Sequence, residues 1–276
     1  MLWKPVFNLV ALVSAPLVGA FVIPYDPQVL LANHEQRLPE SSPLDQGVDA
    51  FTRPSWFTST LLARRLLALS SSGVVSTTFP DPVPSSAHAP SSVAGLPIGL
   101  REYTADCNSF LPEHLSNDDN GDPTILALRV ATTFKNINAG SNLSLELDWW
   151  DHIDQAGPVY PGLPRSPAAL PRVTLFGYLE ALPPLTDEAA TRLEQCFLQA
   201  HPDAKVWLPG ASGSPHSSFW ARLIVTHAYW IGGFGDVQQI GWMNVTEWKG
   251  IRRESSMDGV GDGRGWTHVR LPGEKQ

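Results

Sequence analysis

The sequence predicts a mainly β protein with helical additions (α+β), a small β-barrel or sheet carrying two helices. Three observations point there. Short alternating or β-branched runs recur between Val74 and Val245. Only two segments carry helical periodicity, and the regular strand–helix rhythm of a doubly wound sheet is absent. Composition agrees: 43% of the 276 residues are hydrophobic and 17% charged, with 22 Gly and 25 Pro, a core-forming but loop-rich chain. The formal charge of -8, with no dense basic cluster, argues against nucleic acid as a partner.

From the N-terminus, Lys4 precedes an apolar run that ends at Val18-Gly19-Ala20, small residues suited to a signal peptidase. The run is shorter than the roughly 20 residues that span a hydrocarbon core, so residues 1–20 are expected to be a cleaved secretory signal. No other apolar stretch is long enough to cross a membrane. The expected location is therefore outside the cell or in a secretory or vacuolar lumen. Residues 21–54 lack a steady period and form an expected N-terminal arm.

The domain is expected over 55–250. Residues 55–70 place Phe57, Leu61, Leu62, Leu66 and Leu69 on one helical face. Val74 to Phe79 follows as a short β run, and the Pro- and Ser-rich residues 80–94 form a loop. Gly95 to Gly99 leads back into ordered chain. Thr124 to Ala131 is apolar on both faces, as a strand central in a closed sheet would be. Residues 136–141 make a polar connection. Asn142 to Trp150 alternates strictly, with Leu143, Leu145, Leu147 and Trp149 inward and Asn142, Ser144, Glu146 and Asp148 outward.

Arg172 to Glu180 resumes β character. Thr186 can cap a helix whose first turn holds Asp187 and Glu188, with Ala189, Leu193, Cys196 and Phe197 as its buried stripe. His201-Pro202 ends it. Phe219 to Ile231 is the longest strand, read with Val225, Tyr229 and Ile231 on one side. Gly232 to Gly235 breaks it, and Gln239 to Val245 supplies a further strand. Residues 251–276, poor in apolar side chains between 257 and 265, are expected as a flexible tail.

Two sequons, at Asn142 and Asn244, are expected glycan sites in a secreted chain. Cys107 and Cys196 are the two cysteines, and an oxidising lumen would permit a bridge, although sequence alone leaves pairing open. Asp148, Asp151, His152 and Asp154 could in principle collect a divalent ion, but a hydrated acidic loop is expected and no metal site. No GxSxG elbow supports a serine hydrolase. The Gly232–Asp236 turn does not satisfy GxGxxG, so its glycines are read as geometric. His201 suits a helix C-terminus, and His227 is read as a core or interface residue.

The order of these segments resembles the CREG-like branch of the flavin-binding split-barrel superfamily, which includes pyridoxamine 5'-phosphate oxidase-like proteins. The likeness covers about residues 51–250. It rests on the Ala63-Arg64 helix leading into Gly73-Val74-Val75-Ser76-Thr77, on Gly95-Leu96-Pro97-Ile98-Gly99, and on Gly121-Asp122-Pro123. Pro171 to Gly177, His201-Pro202-Asp203-Ala204, Phe219 to Leu223 and Trp230 to Gly235 complete it.

The resemblance implies an FMN-binding-type split β-barrel and a homodimer. It also implies that Arg64, Ser76, Thr77 and Thr78 lie where a flavin phosphate would approach. The secreted branch shares the oxidases' fold while its characterised type lacks a working flavin site. The expected function is therefore a non-catalytic glycoprotein recognising a protein receptor or small-molecule ligand, with His201, Trp230 and Phe234 as pocket or interface residues. The first alternative is an FMN-dependent oxidoreductase, and the second a haem-binding protein using His201.

Overall fold

The computed structural model describes residues 53–112, 115, 121–160, 162, 164–257 and 259–275. The expected signal and nearly all of the expected N-terminal arm lie outside the described residues. Helix α1 spans Trp56–Leu69, and Ser55 begins it by accepting the Thr58 N–H at 3.1 Å. Strands follow as β1 (Ser72–Thr78), β2 (Pro97–Ala105) and β3 (Thr124–Leu128). A short helix α2 (Thr132–Asn138) leads to β4 (Leu143–Asp148) and β5 (Arg172–Ala181). Then come α3 (Asp187–Ala200), β6 (Ser218–Ile231), β7 (Ile240–Trp242) and α4 (Val245–Gly250).

Strand order is β3-β2-β1-β4-β5-β6-β7, and β3 also pairs with β6, so six antiparallel strands close into a barrel. The length of β6 makes this possible. Along one edge its first half pairs with β3, from Thr124↔Arg222 to Leu128↔Ser218. Its second half pairs with β7 through Tyr229↔Trp242 and Ile231↔Ile240, while β5 runs along the other edge. The strict alternation predicted for β4 holds: Leu143, Leu145 and Leu147 are buried inside the barrel with Val173, Leu175 and Leu223.

Sequence alternation fails in β6 at one place. Phe176 pairs with His227 but Gly177 pairs with Val225, so Thr226 is an extra residue in a β-bulge. Inward positions therefore change parity, from Leu223 and Val225 to Ala228 and Trp230. His227 is exposed, and Val225 and Tyr229 occupy opposite faces.

Three further expectations are revised. The strand expected from Gln239 to Val245 ends at Trp242, because Asn244 Oδ1 accepts the N–H groups of Thr246 (2.9 Å) and Glu247 (3.2 Å) and starts α4. The connection at 136–141 overlaps the end of α2. The tail expected to be flexible is docked. Ile251, Val269 and Leu271 are buried in the main core, and Arg65 Nε donates to Glu274 at 2.7 Å. Few apolar residues suffice there because Ile251, Val260, Trp266, Val269 and Leu271 all join the core formed by α1 and the barrel, while Met257 stays exposed. As a result α1 is buried continuously from Ser59 to Leu67.

A second hydrophobic cluster lies on the opposite face of β2, β3 and β6 from the barrel interior. It joins Ala105, Leu126 and Trp220 to Leu193 and Phe197 of α3. This explains the two-faced apolarity of β3. Cys107 and Cys196 form a disulfide within this cluster, with Cα atoms 5.9 Å apart.

Candidate functional site

The outer surface of β5, β6 and β7 carries a cluster of exposed and half-buried rings. Trp242 is 61% exposed at its centre. The ring centroids of Phe176, Tyr229 and His227 lie 5.5, 5.1 and 6.2 Å from its own. Register puts them there. Gly99, Ser76, Ser144, Phe176 and His227 are consecutive cross-strand partners in one row over β2, β1, β4, β5 and β6. Ile240 extends the apolar part, and the Trp56 ring approaches the backbone of Gly241. An indole held by three rings and left in water is the kind of anchor found at protein interfaces.

The β1–β2–β4 side of this face is polar. Arg101 Nη1 and Nη2 donate to Asp151 at 2.5 and 3.1 Å, and that bond raises the guanidinium pKa. Burial raises the pKa of Asp148 against the opposing bond from the Trp150 N–H. His152 stacks on Trp149 with centroids 4.9 Å apart. The carboxylates of Asp148 and Asp151 are thus occupied with bonds of their own. Among the described residues no group of three or more His, Cys, Asp or Glu could hold a metal ion.

The residues expected to hold a flavin phosphate do not come together. Arg64 is 1% exposed; its Nη1 donates to the carbonyls of Trp248 (3.1 Å) and Ile251 (3.3 Å), and its Nη2 to Asp106 (3.4 Å). Ser76 pairs with Gly99, seven residues along the chain from Asp106, a span of about 23 Å for extended backbone. Thr77 points inward and accepts from Asn136 at 3.1 Å, while the Thr78 N–H donates to Ser141. Of the four, Ser76 and Thr78 lie on the outer side of β1, with Arg64 and Thr77 buried. This set does not fit a flavin phosphate.

His201 does not fit a haem ligand. It is 3% exposed, its Nε2 lies 2.9 Å from the Thr104 carbonyl, and its ring packs between Tyr103 and Phe197. Its backbone N–H donates to Phe197, ending α3 as the sequence suggested. Trp230 is wholly buried in the barrel, so it is neither a pocket nor an interface residue; the bulge at Thr226 turned it inward. Phe234 is partly exposed in the β6–β7 loop and stacks on Tyr160 at 5.4 Å. Asn142 and Asn244 are both exposed. In the sequence Trp242 is one of a series with Trp149, Trp150, Trp220, Trp230 and Trp248 that suits an interface or a barrel filling equally, and the face around it is not defined there. Its signal was present as Phe176, Tyr229 and Trp242, but only the bulge and the β6–β7 register bring these rings together.

A family model, CREG, beta-barrel, matches residues 57–249. The chain belongs to the CREG β-barrel family. A search of curated proteins finds no match. Among solved structures, a heme binding protein from Mycobacterium smegmatis is 20% identical with a TM-score of 0.46; the match covers 72% of this chain and 61% of that one. A protein of unknown function, Atu2129 from Agrobacterium tumefaciens str. C58, is 18% identical with a TM-score of 0.42, covering 76% and 67%. A FAD-binding protein from Mesorhizobium loti is 15% identical with a TM-score of 0.35, covering 60% and 88%. This CREG-family chain therefore takes its place from the family match over the barrel itself.

Proposed function

We propose that this CREG-family chain is a secreted, glycosylated homodimer that works by recognising a protein or small-molecule ligand and catalyses no reaction. The observation that carries this is the exposed Trp242 cluster on the outer barrel face. A second copy of the chain is its natural cover: a two-fold axis near Trp242 would set the aromatic part of the face against its own counterpart, with the polar part at the rim. Phe234, in the loop joining the two strands that carry Tyr229 and Trp242, stacks on Tyr160 of the β4–β5 connection, and this pair would remain as a surface for a partner. The Cys107–Cys196 bond suits an oxidising compartment. Exposed Asn142 and Asn244 can accept glycans without opening the core.

Arg64, His201 and Asp151, the groups best suited to chemistry, are engaged in structural bonds. That supports recognition over catalysis. The test uses glycosylated protein from a secretory host. Light scattering should give a dimer for the parent and a folded monomer for Trp242→Glu. A parent that is monomeric, or a Trp242→Glu protein that remains dimeric, overturns the dimer. The visible spectrum of the same sample should show neither flavin nor haem; a stoichiometric chromophore would instead establish the oxidoreductase or haem alternative.

A further inference from the structure

A cavity separate from the outer face opens between α1, the residues after β2 and the docked C-terminal segment. Its volume is about 440 Å³, within the size range of small-molecule sites. Arg64 forms part of its lining. That guanidinium is charged at any physiological pH, and the carboxylate of the lining paired with it is Asp106, at 3.4 Å. Its Nε is buried with no partner. Burial lowers the Arg64 pKa, and Arg252 adds repulsion that Asp106 and Asp122 oppose.

Toward solvent the lining changes to groups that a ligand can reach. The Arg253 guanidinium sits over the Trp266 ring, 5.3 Å from its centroid, is largely exposed, and meets Glu254 through Nε alone, at 3.5 Å, in a solvent-facing pair. Arg252 donates to the Lys249 carbonyl at 2.9 Å. Phe110, 44% exposed, presents a second ring. The lining thus holds three guanidiniums, of Arg64, Arg252 and Arg253, against two carboxylates, of Asp106 and Glu254. On a chain with a formal charge of -8, such a local cationic excess beside two aromatic rings is a distinct chemical environment.

We propose that this cavity binds a small aromatic anion, a ring bearing a phosphate or carboxylate. The ring would pack against Phe110 and Trp266. The anionic group would face Arg252 and Arg253, where planar guanidiniums can donate paired hydrogen bonds. Its charge would also offset the excess around Arg64. This site shares no residue with the Trp242 face and does not depend on dimerisation.

Calorimetric titration of the full glycosylated chain with phenyl phosphate tests it. One site per chain is expected, with affinity that falls as salt rises. Arg253→Ala and Phe110→Ala alter exposed side chains, so both should fold, and each should weaken binding about tenfold, the size of one lost charged contact for Arg253 and of one lost ring contact for Phe110. Inorganic phosphate should bind at least about tenfold more weakly than phenyl phosphate, for want of the ring. No measurable binding of phenyl phosphate, equal binding of inorganic phosphate, or unchanged affinity in both folded variants would each overturn the proposal.

Discussion

A guanidinium is tolerated in the middle of α1 because backbone carbonyls at a helix end and in the segment after it meet it. Trp248 and Ile251 supply them, 184 and 187 residues downstream of Arg64. Nothing local announces this. In the sequence Arg64 reads as a surface residue or a phosphate ligand, because its partners are distant and the segment holding them looks unstructured. His152 presents the converse case, a titratable ring whose environment gives a measurable signature. Burial lowers its pKa, and Asp151 and Asp148 only partly oppose this. Between the depressed folded value and about 6.5 the unfolded chain binds more protons than the folded one. Stability should therefore fall as pH drops through 6.5. The half-exposed ring is partly screened, so the slope stays well below about 1.4 kcal/mol per pH unit. Thermal melts at pH 7.5 and 5.5 should show a smaller loss for His152→Gln than for the parent. An equal or larger loss would mean that the ring is not the group responsible.

At the scale of elements, most of the barrel was legible and its corrections share a cause. Helix α3 and strands β4 and β5 follow from local period, because each presents one apolar side to a core, and the period also gives α1, although the C-terminal segment buries its polar side too. Strand β6 does not. Alternation read through Thr226 assigns Tyr229 and Val225 to one face, whereas the bulge separates them. A bulge answers to the partner strand, and here the partner position is Gly177. A Cβ at Gly177 would stand 1.8 Å from the Ile224 carbonyl oxygen. Gly177→Ala must therefore push β5 away from β6, at a cost of about 1–3 kcal/mol, as in other overpacked sites. Gly157→Ala is the control: its nearest neighbour would be 3.7 Å away, with no positive φ to strain it. It should stay within about 0.5 kcal/mol of the parent. Denaturant midpoints compare the two, and equal effects would remove the steric account of the bulge. Such a shift would also disturb the outer face, since Phe176 and His227 adjoin the bulge.

Across the whole molecule, stability is divided between two cores that share a wall. The barrel interior, with α1 and the C-terminal segment, forms one; α3 and its neighbours on the outside of β2, β3 and β6 form the other. The smaller core is covered by one amphipathic helix and the loops at its ends, and the Cys107–Cys196 bond ties that helix to the end of β2. The bond joins residues 89 apart in sequence, so in the chain-entropy account its loss frees a long loop in the unfolded state. Replacing both cysteines with serine should cost about 2–5 kcal/mol in denaturant unfolding. The distribution of the loss matters as much as its size. Amides of Leu193 and Phe197 in α3 should gain exchange rate first, while Leu145 and Leu175 inside the barrel keep protection close to the global limit. Uniform loss of protection would mean that the two cores open as one unit. Preferential loss in α3 would mean that the barrel, and the outer face built on β5, β6 and β7, persists when the disulfide is reduced.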